Sequence, residues 1–269
     1  MMLSAYNSYG EQVVAWEVAK EDGPFSCPVC RQAVILKKGS VVVHHFAHSV
    51  PSRCQYGMGE STEHWRAKFE IYESLRTHPR VTKLMVERHL GSVRPDVSFC
   101  LAGVHVAPPV QRSTLSPDWI ARRTRIYTAK RIHVLWMPLY NHEMGEGKRY
   151  APLYWEKYLH ALYYGKIYYW VFGATILPVH FDEFRVGEAY HRWFDDARGM
   201  WIDGYRSRRF RTPSFFRKLN ITDLQAVARD PWQSGSFSLP AARLWCLPQD
   251  HHDDHDGEVN TCEHTDEQE

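Results

Sequence analysis

Cysteine is scarce in this chain. Six in 269 residues, at positions 27, 30, 54, 100, 246 and 262, are too few for a disulfide scaffold, and the one close pair has metal-ligand rather than framework spacing. Long apolar runs are also missing. The longest, Ile167 to Val179, is too short for a bilayer, and Met1 to Gln12 has no basic segment followed by an apolar one. Neither a spanning helix nor a secretory signal is expected, so the chain reads as cytoplasmic with no membrane partner. No internal repeat is evident. From Asp250 to Glu269 there is no Lys or Arg, only nine acidic residues, four histidines and almost nothing apolar, a composition that excludes a packed core there.

What is present is ample for a globular protein: 44% hydrophobic and 14% aromatic residues over a length that suits one large domain or two modest ones. The formal charge of +2 hides an asymmetry. All 33 Lys and Arg precede Asp250, so the body carries a formal +11 and the tail the opposite sign. A basic body points to polyanions, because phosphate contacts by Lys and Arg release condensed counterions.

Along the chain, Gln12 to Val18 alternates as a short strand. Phe25 to His48 then holds Cys-Pro-Val-Cys, a strand at Ala33 to Leu36, a Lys37-Lys38-Gly39-Ser40 turn and a strand from Val41; together these read as a small zinc-ribbon-like hairpin. Glu60 to Leu75 is expected to be a helix, with Trp65, Phe69, Tyr72 and Leu75 at helical spacing and Glu60, His64 and Lys68 on the opposite edge. Strands follow at Val81 to Glu87, Asp96 to Ala102 and Val104 to Gln111, then a helix at Pro117 to Ala129 and a strand at Ile132 to Trp136. Asn141 to Arg149 reads as a boundary. Beyond it come a helix at Tyr154 to Tyr164, a hairpin of Lys166 to Phe172 and Thr175 to His180, and a helix at Phe184 to Trp193. The expected units are a zinc-binding-like segment at 1–58, a core at 59–140, an extension at 141–248 and a disordered acidic, His-rich tail at 249–269.

Three constellations carry chemistry. Cys27-x2-Cys30 with His45-x2-His48 offers two thiolates and two imidazoles, enough for tetrahedral Zn²⁺; the tight His spacing leaves Cys54 or His44 open as fourth ligand. Glu87, Arg94-Pro95-Asp96-Val97 and Val110-Gln111-Arg112-Ser113 fall on successive strands and look like a metal-dependent nuclease core. Cutting a phosphodiester with Mg²⁺ needs two carboxylates and a group that orients water. Asp96 supplies one and Gln111 fits the orienting role. Side chains two apart on a strand share a face, so the second carboxylate belongs at position 109, which is Pro. Finally, Tyr205 to Lys218 interleaves Arg206, Arg208, Arg209, Arg211, Arg217 and Lys218 with Phe210, Phe215 and Phe216, a composition suited to single-stranded DNA.

Taken in order, Phe25-x-Cys27-x2-Cys30, Lys38-Gly39, His45-Phe46-Ala47-His48, Glu60-Ser61-x-Glu63-His64-x3-Lys68, Glu87, Arg94-Pro95-Asp96-Val97 and Gln111-Arg112-Ser113 resemble the competence protein CoiA family over about Phe25 to Trp136, and more loosely through Tyr154 to His180. The resemblance implies an α/β (α+β) chain. Its core would be restriction-endonuclease-like, of PD-(D/E)XK type in the order α-β-β-β-α-β, in bacterial proteins tied to DNA uptake and recombination. It also implies Asp96, Gln111, Glu63 and His64 as the catalytic set, with Asp96 on Mg²⁺. Pro109 replaces the Glu of the family's Glu-x-Gln-x-Ser strand. Two readings stay open: a Mg²⁺-dependent deoxyribonuclease with a degenerate site, and a non-catalytic DNA-binding accessory to recombination. In either, Arg112 and the Arg206 to Arg211 cluster meet DNA, and a recombination protein is a candidate partner.

Overall fold

The structure, a computed structural model, describes residues 1–50, 53–54, 56, 59–112, 114–186, 193–197, 199–202, 205–228 and 242–246. Ser113 and the acidic tail at 249–269 lie outside these. The N-terminal segment is a five-stranded sheet rather than a hairpin: β1 (Ser4–Tyr6), β2 (Gln12–Val14), β3 (Phe25–Ser26), β4 (Ala33–Lys37) and β5 (His45–His48), in the order β2-β1-β3-β4-β5. Along β4 burial alternates, so Val34 and Leu36 enter a small core with Met2, Phe25, Phe46 and Tyr56. The strand expected from Val41 begins only at His45; Val41 is 95% exposed. The register explains this, since Leu36 pairs with Phe46 and residues 38–44 are needed for the return loop. Met2 and Phe46 exchange backbone hydrogen bonds, tying β5 to the start of the chain.

Next comes α1 (Thr62–Leu75), capped by Ser61, whose hydroxyl accepts from the His64 N–H. It buries Trp65, Ala67, Ile71, Tyr72 and Leu75, and with them Lys68, which was expected on the opposite edge. Strands β6 (Val81–Val86), β7 (Val97–Leu101) and β8 (Val104–Ala107) form an antiparallel meander, with all five residues of β7 buried as befits a central strand. The expected strand Val104 to Gln111 is split. Pro108 and Pro109 supply no ladder donors, so β8 stops at Ala107 and pairing resumes at β9 (Val110–Gln111). Then come α2 (Pro117–Ala129), opened by the Ser116 cap with Pro117 at its first turn, β10 (His133–Val134) parallel to β8, and β11 (Met137–Pro138) parallel to β9. The order helix, three strands, helix, strand is present.

After Asn141 the chain does not start a separate core. α3 (Tyr154–Leu162) and the hairpin of β12 (Ile167–Phe172) and β13 (Thr175–Val186) contribute Trp155, Leu159, Ile167, Tyr169 and Val179 to the hydrophobic cluster that already holds Ile71, Phe99 and Trp136. Leu139 bridges Trp170, joining the two sheets. The helix expected from Phe184 is absent over the described residues: 184–186 end β13, and Trp193–Asp195 is β14, paired with β15 (Met200–Ile202); residues 187–192 are not among those described. Cross-strand partners decide this. The basic aromatic segment is itself a strand, β16 (Tyr205–Phe215), and Glu183 and Arg185 of β13 pair with its Arg211 and Arg206. β17 (Leu219–Asn220) adds to β13, while β18 (Leu224–Ala228) and β19 (Ala242–Cys246) extend the first sheet to β18-β19-β10-β8-β7-β6. The result is an α/β fold. No helix of the described residues is long and apolar enough to cross a membrane.

Candidate metal centres and nucleic-acid face

Cys27 and Cys30 sit on a tight knuckle after β3, where the Arg31 N–H donates to the Cys27 carbonyl and Arg31 adopts a φ of 61°. With His48 and Cys54 they place four ligand atoms within 4.8 Å of one another. Cys27 Sγ lies 3.9 Å from Cys54 Sγ, and Cys30 Sγ 3.2 Å from His48 Nε2. Three sulfurs and one imidazole can hold a metal ion. His45, expected as a ligand, is not in the set, because residues three apart on a strand face opposite ways. His48 shares a face with the buried Phe46, while His45 turns its Nδ1 to the Val43 carbonyl at 3.0 Å. Cys54 takes its place. Burial pushes the Cys27 thiol up to about 11. At Cys30 a smaller burial effect in the same direction is outweighed by the Gln32 backbone and His48, which bring the thiol down to about 7.

The second cluster is built around Lys68, fully buried one helical turn after His64. Its Nζ lies 2.6 Å from Glu60 Oε2, 2.9 Å from Glu87 Oε1 and 3.4 Å from Asp96 Oδ1. An ammonium in an apolar stripe is tolerable only with such partners. Burial pushes Lys68 down, but Glu87, Asp96 and Glu60 together hold it above its ordinary value. The carboxylates respond in the opposite sense. Burial pushes Asp96 up, yet His64 and Lys68 outweigh it and hold the group well below the usual range. For Glu87 burial is again outweighed, by Lys68 and then Arg94. Glu87 also accepts from the Leu3 N–H at 2.9 Å and the Tyr56 hydroxyl at 3.2 Å, so the N-terminal sheet is hydrogen-bonded into this cluster.

Glu60, His64 and Asp96 place one donor atom each within 4.8 Å. His64 Nε2 lies 3.3 Å from Asp96 Oδ1 but off the line of a hydrogen bond, and is buried without a hydrogen-bond partner. An orphaned imidazole nitrogen beside two carboxylates is a donor set that fits a cation. Glu60, which the family motif contains, was passed over in favour of Glu63; Glu63 instead faces outward, 52% exposed, in an ion pair with Arg112 at 3.2 Å. The signal for Glu60 was its i, i+4 relation to His64 and i, i+8 relation to Lys68, which sets all three on one helical edge.

Asp96 Oδ2 accepts from the Val110 N–H at 3.0 Å, which brings β9 to the site. The half-buried Gln111 side chain is not hydrogen-bonded to Asp96; its backbone carbonyl accepts from Leu139. Pro109 is buried, and its carbonyl accepts from Met137. On β16, Arg208 and Arg209 are exposed, Arg206 pairs with Glu183 at 2.8 Å, and Arg211 donates to the Ser207 and Phe210 carbonyls. Phe210 is flanked by the guanidinium groups of Arg149, at 4.7 Å, and Arg209, at 5.3 Å. Arg149 had been assigned to a boundary loop.

Comparison with known proteins bears on both centres. A family model described as "Competence protein CoiA, N-terminal domain" matches residues 10–57, and one described as "Competence protein CoiA, nuclease-like domain" matches residues 60–172. Competence protein CoiA of Bacillus subtilis (strain 168) is 29% identical over 120 residues, which cover 44% of this chain and 32% of that protein. The alignment therefore spans about a third of that relative's length. No solved structure matches.

Proposed function

The chain belongs to the competence protein CoiA family, and on that premise we propose that it binds and processes DNA during uptake and recombination, with a PD-(D/E)XK-type core at 59–140 whose cutting is weak or absent. The observation that carries this is the state of the Glu60, His64 and Asp96 cluster. Those residues would hold a Mg²⁺, which when bound supplies an activated water and neutralises charge on the scissile phosphate. Both carboxylates are already engaged. Glu60 accepts from Lys68, Trp65 Nε1 and Arg94, and Asp96 shares the same ammonium and takes the Val110 N–H. With Pro at 109 no third carboxylate joins them from β9, so the ammonium competes with a metal for the available oxygens.

DNA binding rests on the basic body. The Arg149, Phe210 and Arg209 stack, with Arg208 beside it, suits a single strand: cations track phosphates, and a guanidinium plane held on a ring can stack on a base. Zn²⁺ suits the Cys27, Cys30, His48 and Cys54 set as a closed structural site. The reading places the protein in the cytoplasm, where a recombination protein would receive the strand.

The test is cleavage of single- and double-stranded DNA with Mg²⁺. Wild type should cut weakly or not at all while still binding DNA, and Pro109→Glu, which restores both a carboxylate and a ladder N–H, should gain Mg²⁺-dependent cutting that Asp96→Ala removes. Strong wild-type cleavage that Glu60→Gln abolishes would overturn the weak-site reading and make Glu60 the working acid. Failure to bind DNA at all would overturn the DNA-processing assignment.

A further inference from the structure

A cavity of about 370 Å³, sharing no lining residue with either cluster, lies where β6, β7 and β8 meet the end of α2. Its volume is at the small end of the range for small-molecule pockets, ~300–1,000 Å³, enough for one nucleotide-sized ligand and too small for a stretch of strand. Lys83, Arg88, Lys130 and His105 line it, and no carboxylate does among the described residues. The sequence scatters these groups across the 48 positions from Lys83 to Lys130, and only the sheet gathers them. Lys83 takes a φ of 51° at the irregularity where the pairing of β6 with β7 slips, and Arg88 Nη2 donates to the Lys83 carbonyl at 3.1 Å, so the bulge and the loop after it are held together at the rim.

Ser98 provides the independent sign of a ligand. It lines the cavity, is 6% exposed, and its hydroxyl is buried without a hydrogen-bond partner. A buried hydroxyl without a partner is unfavourable by roughly 1–3 kcal/mol, and a ligand oxygen would remove that penalty. Leu90, Phe99 and Ile132 give the remaining wall its apolar character.

We propose that this cavity binds a phosphate monoester carried on a nucleoside, with the dianionic phosphate among Lys83, Arg88 and Lys130, the Ser98 hydroxyl on a ligand oxygen, and the base against the apolar wall. The ligand chemistry is that of a mononucleotide, whether free or as the 5′-phosphorylated end of a DNA strand. The site is separate from the metal clusters and from the β16 face, so it stands or falls apart from the function proposed above.

Calorimetric titration of the full chain with deoxyadenosine 5′-monophosphate, inorganic phosphate and deoxyadenosine tests it. The nucleotide should bind at least about tenfold more tightly than either fragment. Lys83→Glu and Lys130→Glu, both at exposed positions, should each weaken it about tenfold or more, and Ser98→Ala should weaken it severalfold while the melting temperature of the unliganded protein does not fall. Competition with 5′-phosphorylated and 5′-hydroxyl oligonucleotides separates the sources: displacement of the nucleotide by the phosphorylated strand alone assigns the strand end, and displacement by neither assigns the free nucleotide. No nucleotide binding, equal binding of inorganic phosphate, displacement by both strands alike, or affinity unchanged in both charge-reversal variants would overturn the proposal. Replacing the β16 arginines should leave nucleotide binding intact, so failure of the strand-binding face and failure of this pocket are told apart.

Discussion

Replacing Lys68 by Met tests the buried charge cluster directly. The side chain keeps its packing stem but loses the ammonium that lies 2.6, 2.9 and 3.4 Å from three carboxylates. Glu87, with no exposed surface, would keep the Leu3 N–H and the Tyr56 hydroxyl but lose its nearest cation. Removing one partner of a buried ion pair costs about 3–5 kcal/mol, because the remaining charge stays desolvated. With a urea slope of roughly 2–3 kcal/mol/M, the unfolding midpoint should fall by about 1–2 M. The pH dependence is the sharper signature. In wild type Glu87 and Asp96 are held below their ordinary values of 4.5 and 3.8, so their stabilisation is present above those values and is lost as pH falls through the folded ones. Without Lys68, burial dominates at Glu87 and raises its pKa; stability is then greatest below 4.5 and is lost as pH rises through the raised value. The gap between the two proteins should therefore be widest near pH 7 and narrow toward pH 4.5. Urea unfolding followed by circular dichroism at several pH values reads this, and Lys68→Met/Glu87→Gln should recover part of the loss. A drop under about 1 kcal/mol, or one that does not change with pH, would refute the claim that Lys68 holds these carboxylates ionised.

Two further outcomes follow from the other sites. Cys54→Ser should lower the zinc content of purified protein, measured by elemental analysis, together with the melting temperature, whereas His45→Ala should leave both unchanged; the opposite pattern would restore His45 as the ligand. Replacing Arg206, Arg208, Arg209 and Arg211 together by Ala should flatten the plot of log affinity for single-stranded DNA against log salt by about 1.4 rather than by the about 2.8 that four contacts would give, at ~0.7 per single-strand phosphate contact, because Arg206 and Arg211 are already tied to Glu183 and to backbone carbonyls. An unchanged slope would move the strand to another surface.

Local chemistry made much of this legible. The sequence places the start of α2 at Pro117, since a fixed φ acts within one turn, and the start of α1 within two residues of the Thr62 found behind the Ser61 cap. Spacing alone singles out Cys27, Cys30 and His48, which the fold gathers with Cys54, and the alternation of faces along a strand separates His45 from His48. The strand motif singles out Asp96, which lies beside Glu60 and His64, whereas the helical edge that Glu60 shares with His64 and Lys68 does not reveal that it meets Asp96, a contact made only through tertiary packing. Lys68 is expected on the edge opposite the apolar stripe, yet it is buried with Ala67 and Ile71; its partners sit 8, 19 and 28 positions away, and only the nearest shares its helical edge. The end of β13 reads as helix, and Tyr205 to Phe215 as no element at all, for a related reason. Strand propensity there is weak, and each strand exists through pairing with the other.

The hydrogen bonds from Leu3 and Tyr56 to Glu87 bear on how the protein can be handled and recombined. A fragment beginning at residue 59 would keep every residue of the nuclease-like model yet strip Glu87 of two donors and uncover a carboxylate that residues 1–58 help to bury. Grafting the N-terminal sheet of a relative onto this core would need a phenol where Tyr56 stands and a backbone N–H in place of Leu3. An affinity tag ahead of Met1 would press on Met2, which pairs with Phe46 one residue from the Glu87 contact. The two family segments are thus joined not by the chain at residues 58 and 59 alone but also through a buried carboxylate to which both supply donors.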